Sequence, residues 1–136
     1  YHYQVSYPAT EYDLKASNGD RVAMFINKRF PGDIPDASIE IRSNLGEPIV
    51  FANLSPQENA KNIISSWVIP PSTRDELIRS ITLTKFAGRD TAVFKYDYIY
   101  RIFIDGDNFF MVKTVVASSP EFQRDYSFID TLKLLR

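Results

Sequence analysis

A tight turn between two runs of alternating apolar residues constrains this chain most. Ile99, Ile102, Phe103 and Ile104 precede Asp105-Gly106-Asp107-Asn108, and Phe109, Phe110, Met111 and Val112 follow it. With Gly106-Asp107 as a two-residue turn, the register pairs Ile104 with Phe109, Ile102 with Met111 and Tyr98 with Val115. Gly in the first turn position is the type II′ preference, and alternation on both sides marks a β-hairpin.

Upstream, Tyr3, Val5 and Tyr7 alternate with His2, Gln4 and Ser6, the period of a half-buried strand that Pro8 stops. Asp13 to Ala16 forms a second short strand, and Arg21 to Asn27 a third. The Ser17-Asn18-Gly19-Asp20 turn joins these two as a hairpin. Residues Phe30 to Asp36 carry two prolines and a glycine and read as loop, and Ser38 to Arg42 alternates again as a fourth strand.

Ser55 then starts a helix as N-cap, with Pro56 at the first helical position and Glu58 completing a capping box. Ala60, Ile63, Ile64 and Trp67 fall on one helical stripe facing a core. Pro70-Pro71 ends this helix, and Thr73 to Glu76 caps one further helical turn. Ser80 to Thr84 returns to strand, Ala87-Gly88-Arg89-Asp90 turns, and Thr91 to Lys95 is strand again. Ser119-Pro120-Glu121 opens a last helix with Phe122, Tyr126, Ile129 and Leu132 on one side. The sum is one α+β domain over residues 1–136, a twisted, mainly antiparallel β-sheet flanked by helices.

Composition narrows the function. At 136 residues the chain can bury roughly two thirds of its unfolded surface, and its 44% hydrophobic content excludes general disorder. A net charge of −1 without long like-charge runs argues against nucleic acid or an anionic membrane as partner. The absence of cysteine rules out disulfides, thiolate metal sites and thiol nucleophiles. No apolar run approaches the roughly 20 residues that span a bilayer. Because the chain opens at Tyr1 rather than Met, a processed or truncated form is expected, with any signal or anchor upstream of Tyr1.

No chemical motif rises above its structural explanation. His2 is the one histidine and sits at the N-terminus, too poorly held to anchor a triad or a metal site. Asp105, Asp107 and Asn108 crowd oxygen donors into one turn, yet Ca²⁺ needs roughly six to eight oxygens, usually with a bidentate carboxylate. The same residues are what a hairpin turn requires, so neither metal nor cofactor is implied. The five glycines form no phosphate-cradling loop. Arg89 and Arg101 stand out as basic residues inside structured segments. Arg101 lies between Ile99 and Phe103 on one strand face, where its stem covers apolar surface. Tyr96, Tyr98 and Tyr100 share the other face. An aromatic stripe can stack bases, but the RNA-binding consensus is missing and the charge balance is wrong. Tyrosine is favoured at protein interfaces, which makes that face a binding candidate.

The order of elements resembles a known superfamily. "YHYQVSYPATEYDL" is similar to the opening of PsbP-like domains, and "SPQENAKNIISSWV" to their polar-capped helix. "ITLTKFAGRDTAVFKYDY" matches their strand, Gly-containing turn and strand. "YRIFIDGDNFFMVKTVVASSPEFQRDYSFIDTLKLL" matches their long hairpin and closing helix. The resemblance implies an α/β/α sandwich and a binding or assembly protein rather than an enzyme. Members include a photosystem II extrinsic subunit, a Ran-binding import factor and bacterial lipoproteins. The basic N-terminal segment of the photosynthetic members is missing here, so the bacterial lipoprotein branch is nearest.

Three functions follow as expectations. The first is a non-enzymatic binding or assembly domain of a bacterial cell-envelope lipoprotein or secreted protein, engaging a protein partner. This places it outside the cytoplasm, lipid-anchored upstream or secreted, the domain itself not inserted in the membrane; the alternative is an intracellular regulatory role. The second is a small-ligand carrier with a pocket between sheet and helices, lined by Tyr98, Tyr100, Trp67 and Phe110, with Arg101 as a further binding residue. The third is an enzyme in which Asp105 or Asp107 works without histidine or cysteine, as glycoside chemistry allows when two carboxyls face one another.

Overall fold

The computed structural model of the chain describes residues 3–17, 22–29, 35–43, 54–106, 108–116 and 127–135. Its centre is a seven-stranded antiparallel sheet. The strands are β2 (Tyr12–Ser17), β3 (Val22–Asn27), β4 (Ala37–Ser43), β5 (Thr82–Phe86), β6 (Arg89–Lys95), β7 (Tyr98–Asp105) and β8 (Asn108–Val115), in the spatial order β2-β3-β4-β8-β7-β6-β5. Two further strands, β1 (Tyr3–Gln4) and β9 (Lys133–Leu134), pair only with each other. With helices α1 (Pro56–Ser66) and α2 (Pro71–Ser80), this is an α+β fold.

The β7–β8 hairpin has the register its sequence predicts, with Ile104 opposite Phe109, Ile102 opposite Met111 and Tyr98 opposite Val115. Gly106 takes φ +61°, the left-handed backbone its turn position requires. At the β5–β6 turn both Ala87 (φ 53°) and Gly88 (φ 77°) are left-handed, a two-residue I′-like turn, so β6 already starts at Arg89. The β2–β3 hairpin is present with Ser17 opposite Val22; the Asn18-Gly19 turn lies outside the described residues.

Three elements depart from expectation. The strand predicted over Tyr3 to Tyr7 shortens to two residues, where the Ser6 N–H turns from the ladder to the Thr131 hydroxyl at 2.9 Å, which itself donates to the Phe128 carbonyl at 2.7 Å. Val5 and Tyr7 still pack on the sheet. Pro70-Pro71 ends one helix and also starts another, so α2 runs ten residues rather than one turn. Pro71 fits the first helical turn, where its missing N–H would have no partner anyway. Most of the predicted last helix, together with residues 30–34 of the expected loop, lies outside the described residues. Its described end is a 3₁₀ helix over Ser127–Thr131 that buries Phe128 and Ile129, with Leu132 buried just beyond it.

Helix α1 starts as its capping signal dictates, the Glu58 N–H donating to Ser55 Oγ at 3.1 Å. Ala60, Ile63 and Ile64 are buried against β6 and β7. Strand alternation then splits the core into two layers. Ala92, Phe94, Tyr100, Ile102, Phe109 and Met111 face the helices. Phe25, Ile39, Phe103, Phe110 and Val112 face the other way, under β1, β9 and the 3₁₀ helix. The helix-side layer runs out toward the turn between β6 and β7, and there the sheet surface opens.

Candidate functional site: an aromatic cleft beside the β6–β7 turn

Helix α1 ends at Ser66, and Trp67 becomes its C-cap with an extended backbone (φ −78°, ψ 146°). Its N–H donates to the Ile64 carbonyl at 3.1 Å, which turns the indole back over the sheet. The ring settles among Phe94 (5.9 Å between centroids), Tyr96 (5.8 Å) and Tyr100 (5.3 Å). Tyr100 in turn stacks on Phe94 at 4.8 Å and 18°, and Tyr98 meets its edge at 6.0 Å. Five rings from two strands, one turn and one helix end thus form a single cluster.

An open cleft of about 460 Å³ lies over this cluster, lined by Ser66, Trp67, Val68, Ile69, Tyr96, Asp97 and Tyr100. Tyr100 is its buried floor at 5% exposure, Trp67 its half-buried wall, and Tyr96 and Val68 its rim, 46% and 104% exposed. A fully exposed valine beside a half-exposed tyrosine is apolar surface presented to whatever enters.

Asp97 holds the cleft together. Its Oδ1 accepts the Tyr98 N–H at 3.0 Å and the Tyr100 hydroxyl at 2.6 Å. Burial, then the hydrogen bond to Asp97 and its negative charge, push the Tyr100 phenol far above its ordinary value. Tyr98 is raised too, by burial and then by Asp97. Near neutral pH both phenols are therefore neutral, and the Tyr100 proton stays with its own oxygen. Both of these bonds run to Oδ1, and among the described residues no cation pairs with Asp97, so Oδ2 of this exposed side chain is left open.

The five binding residues expected from sequence are not one site. Trp67, Tyr98 and Tyr100 are brought together, but Phe110 and Arg101 lie on the opposite face of the sheet. The reason is strand parity: residues 98 and 100 point one way along β7 and residue 101 the other, while Phe110 sits across from Phe103 and stacks on it at 4.8 Å and 11°. Arg101 lies over the Phe86 ring at 5.3 Å with Nη2 3.9 Å from Asp130, and its Nη1 is buried with no hydrogen-bond partner among the described residues. Its stem covers apolar surface. Tyr96 is not on the strand with Tyr98 and Tyr100 but in the turn before it, where its N–H donates to the Tyr98 carbonyl at 3.0 Å. Asp97, Val68, Ile69 and Ser66 went unseen as site residues. Asp97 alone carried a signal, as a turn-forming residue between two tyrosines.

Of the acidic candidates in the hairpin turn, Asp105 has a structural partner. It accepts the Arg89 guanidinium at 2.8 Å, tying the start of β6 to the end of β7, while Asp107 and His2 lie outside the described residues. Buried Asp36 accepts the Tyr12 hydroxyl at 2.9 Å and the Asn27 amide at 3.2 Å through Oδ2, joining β2, β3 and the entry to β4. Among the described residues no three His, Cys, Asp or Glu side chains gather as a metal-binding group, and no helix is long and apolar enough to cross a membrane.

No protein-family model and no curated protein matches this chain. Among solved structures it is similar to a crystal structure of a protein from Bacteroides thetaiotaomicron, with 17% identity and a TM-score of 0.51. The match covers 98% of this chain and 45% of that protein, so the chain spans less than half of its neighbour's length. At that identity the likeness speaks for the fold alone.

Proposed function

We propose that this chain is a non-enzymatic binding or assembly domain that engages a protein partner through the cleft at Trp67, Tyr96 and Asp97. The observation that carries this reading is the rim itself. Val68 and Tyr96 stand exposed over a ring-packed floor, and tryptophan and tyrosine are among the residues most enriched where protein interfaces concentrate their energy. The neutral, tightly held Tyr100 phenol favours binding over proton transfer at this cleft. A photo-crosslinking amino acid at Val68 in native cells is expected to give one saturable adduct, absent when the same probe replaces Lys28 on the distant β3 end. Equal adducts from both positions, or none from Val68, would refute the proposal.

The cell-envelope setting belongs to the same proposal and rests on the PsbP-like order of elements. If it holds, the native protein fractionates with the envelope and, for a lipoprotein, takes up labelled palmitate; recovery in the cytoplasmic fraction would exclude it. A second reading, a small-ligand carrier, draws on one observation: about 460 Å³ is within the usual range for ligand pockets. A thermal-shift screen discriminates, because a small ligand bound by the native state must raise the midpoint.

A further inference from the structure

We infer that the group entering the cleft is a basic side chain of the partner, lysine or arginine. Its apolar stem lies along Trp67 and Tyr96, and its cationic head meets Oδ2 of Asp97. This rests on the binding role proposed above for the cleft.

Three features select a cation. Asp97 is the single charged residue among the seven that line the cleft, and its open oxygen is an anionic acceptor. A neutral apolar group would strip water from that oxygen without replacing its hydrogen bonds, and an anion would be repelled. The second feature is the rings, whose faces carry the negative lobe of the aromatic quadrupole and attract cations. The third is the Ser66 hydroxyl. It already donates to the Ile63 carbonyl at 2.6 Å, so toward the cleft it can only accept. Asp97 and Ser66 thus offer two acceptors, which suit the several N–H donors of an ammonium or guanidinium.

The chain already places one lysine against a ring of this cluster. On the same sheet face Lys113 Nζ lies 5.0 Å from the Tyr98 ring centroid, a lysine on a tyrosine of this same cluster. A stem of methylenes tipped by a charge suits a site with apolar walls and one carboxylate at its lip.

The chain's one tryptophan makes the test site-specific, because its indole N–H gives a single resonance. The probes are N-acetyl-lysine methylamide, its neutral norleucine counterpart and maltose, each titrated into the isotopically labelled full chain. The lysine probe is expected to move the Trp67 indole, Tyr96 and Asp97 signals saturably. Its dissociation constant should be about fivefold lower than that of norleucine, the upper range for an exposed ion pair. Raised salt should close that gap. Asp97→Asn, which keeps an acceptor for Tyr100, should bring lysine down to the norleucine level. Equal binding of lysine and norleucine to the unmodified chain would overturn the inference, as would maltose shifting these signals when lysine does not. If either occurs while Val68 still crosslinks to one partner, the binding reading stands and only the cationic ligand falls. If the Val68 adduct is also missing, both fall.

Discussion

Replacing Tyr100 with Phe removes one oxygen and little else. The Phe ring keeps the stacking on Phe94 and the contact with Trp67, so no cavity opens and the loss isolates the bond to Asp97. Hydrogen bonds to charged acceptors contribute roughly 1.5–3 kcal/mol when both partners are shielded. Tyr100 is 5% exposed, but Asp97 is exposed and water can replace the lost donor on its side. The expected loss for Tyr100→Phe is therefore about 1–1.5 kcal/mol, or about 3–6 °C in melting temperature for a chain of this size. The control is Tyr98→Phe, a half-buried residue whose hydroxyl has no hydrogen-bond partner among the described residues; it should stay within about 0.5 kcal/mol of the parent. Urea unfolding followed through Trp67 emission measures both variants in one assay. If Tyr100→Phe matches the parent, or Tyr98→Phe costs as much, the Asp97 clamp does not hold the cleft.

Three other outcomes are expected. Tyr12 and Tyr100 both have phenols raised above the ordinary value, each first by burial and then by a carboxylate partner. Stability from these groups is complete below about pH 10 and falls above it, because the unfolded chain ionises first; the slope is about 1.4 kcal/mol per pH unit per tyrosine. Denaturant midpoints that stay flat above pH 10 would contradict this. Ile102→Ala, at a fully buried site in central strand β7, should cost about 2–5 kcal/mol in the same unfolding assay. Ser55→Ala removes the acceptor for the Glu58 N–H and should cost about 1 kcal/mol, with Ser55→Gly close to neutral.

Local chemistry made much of the fold legible. The β7–β8 register followed from Gly106 and the alternation around it, and the start of α1 from Ser55, Pro56 and Glu58. Both are decided within a few residues. The pairing of β4 with β8 is of another kind: Ile39 lies opposite Val112 although 72 residues intervene, and no local pattern encodes that partner. Helix α2 was underestimated because Pro71 serves equally as a stop and as a start. Phe110 and Tyr100 are both aromatic and both in the core, but parity places them on opposite faces of the sheet. The cleft was half visible, its tyrosines conspicuous, while Val68 and Asp97 acquired their places only through the turns that present them.

The most direct measurement is the affinity of the Val68-crosslinked partner for surface variants of the chain. Trp67→Ala and Tyr96→Ala are set against Leu14→Ala and Leu83→Ala, exposed apolar residues on the two outer strands of the sheet. The expected result is a loss of about tenfold or more, about 1.4 kcal/mol, for each cleft variant and under about threefold for the edge variants. Undiminished binding by both cleft variants, with a loss at Leu14 or Leu83, would contradict the assignment of the cleft as the binding site.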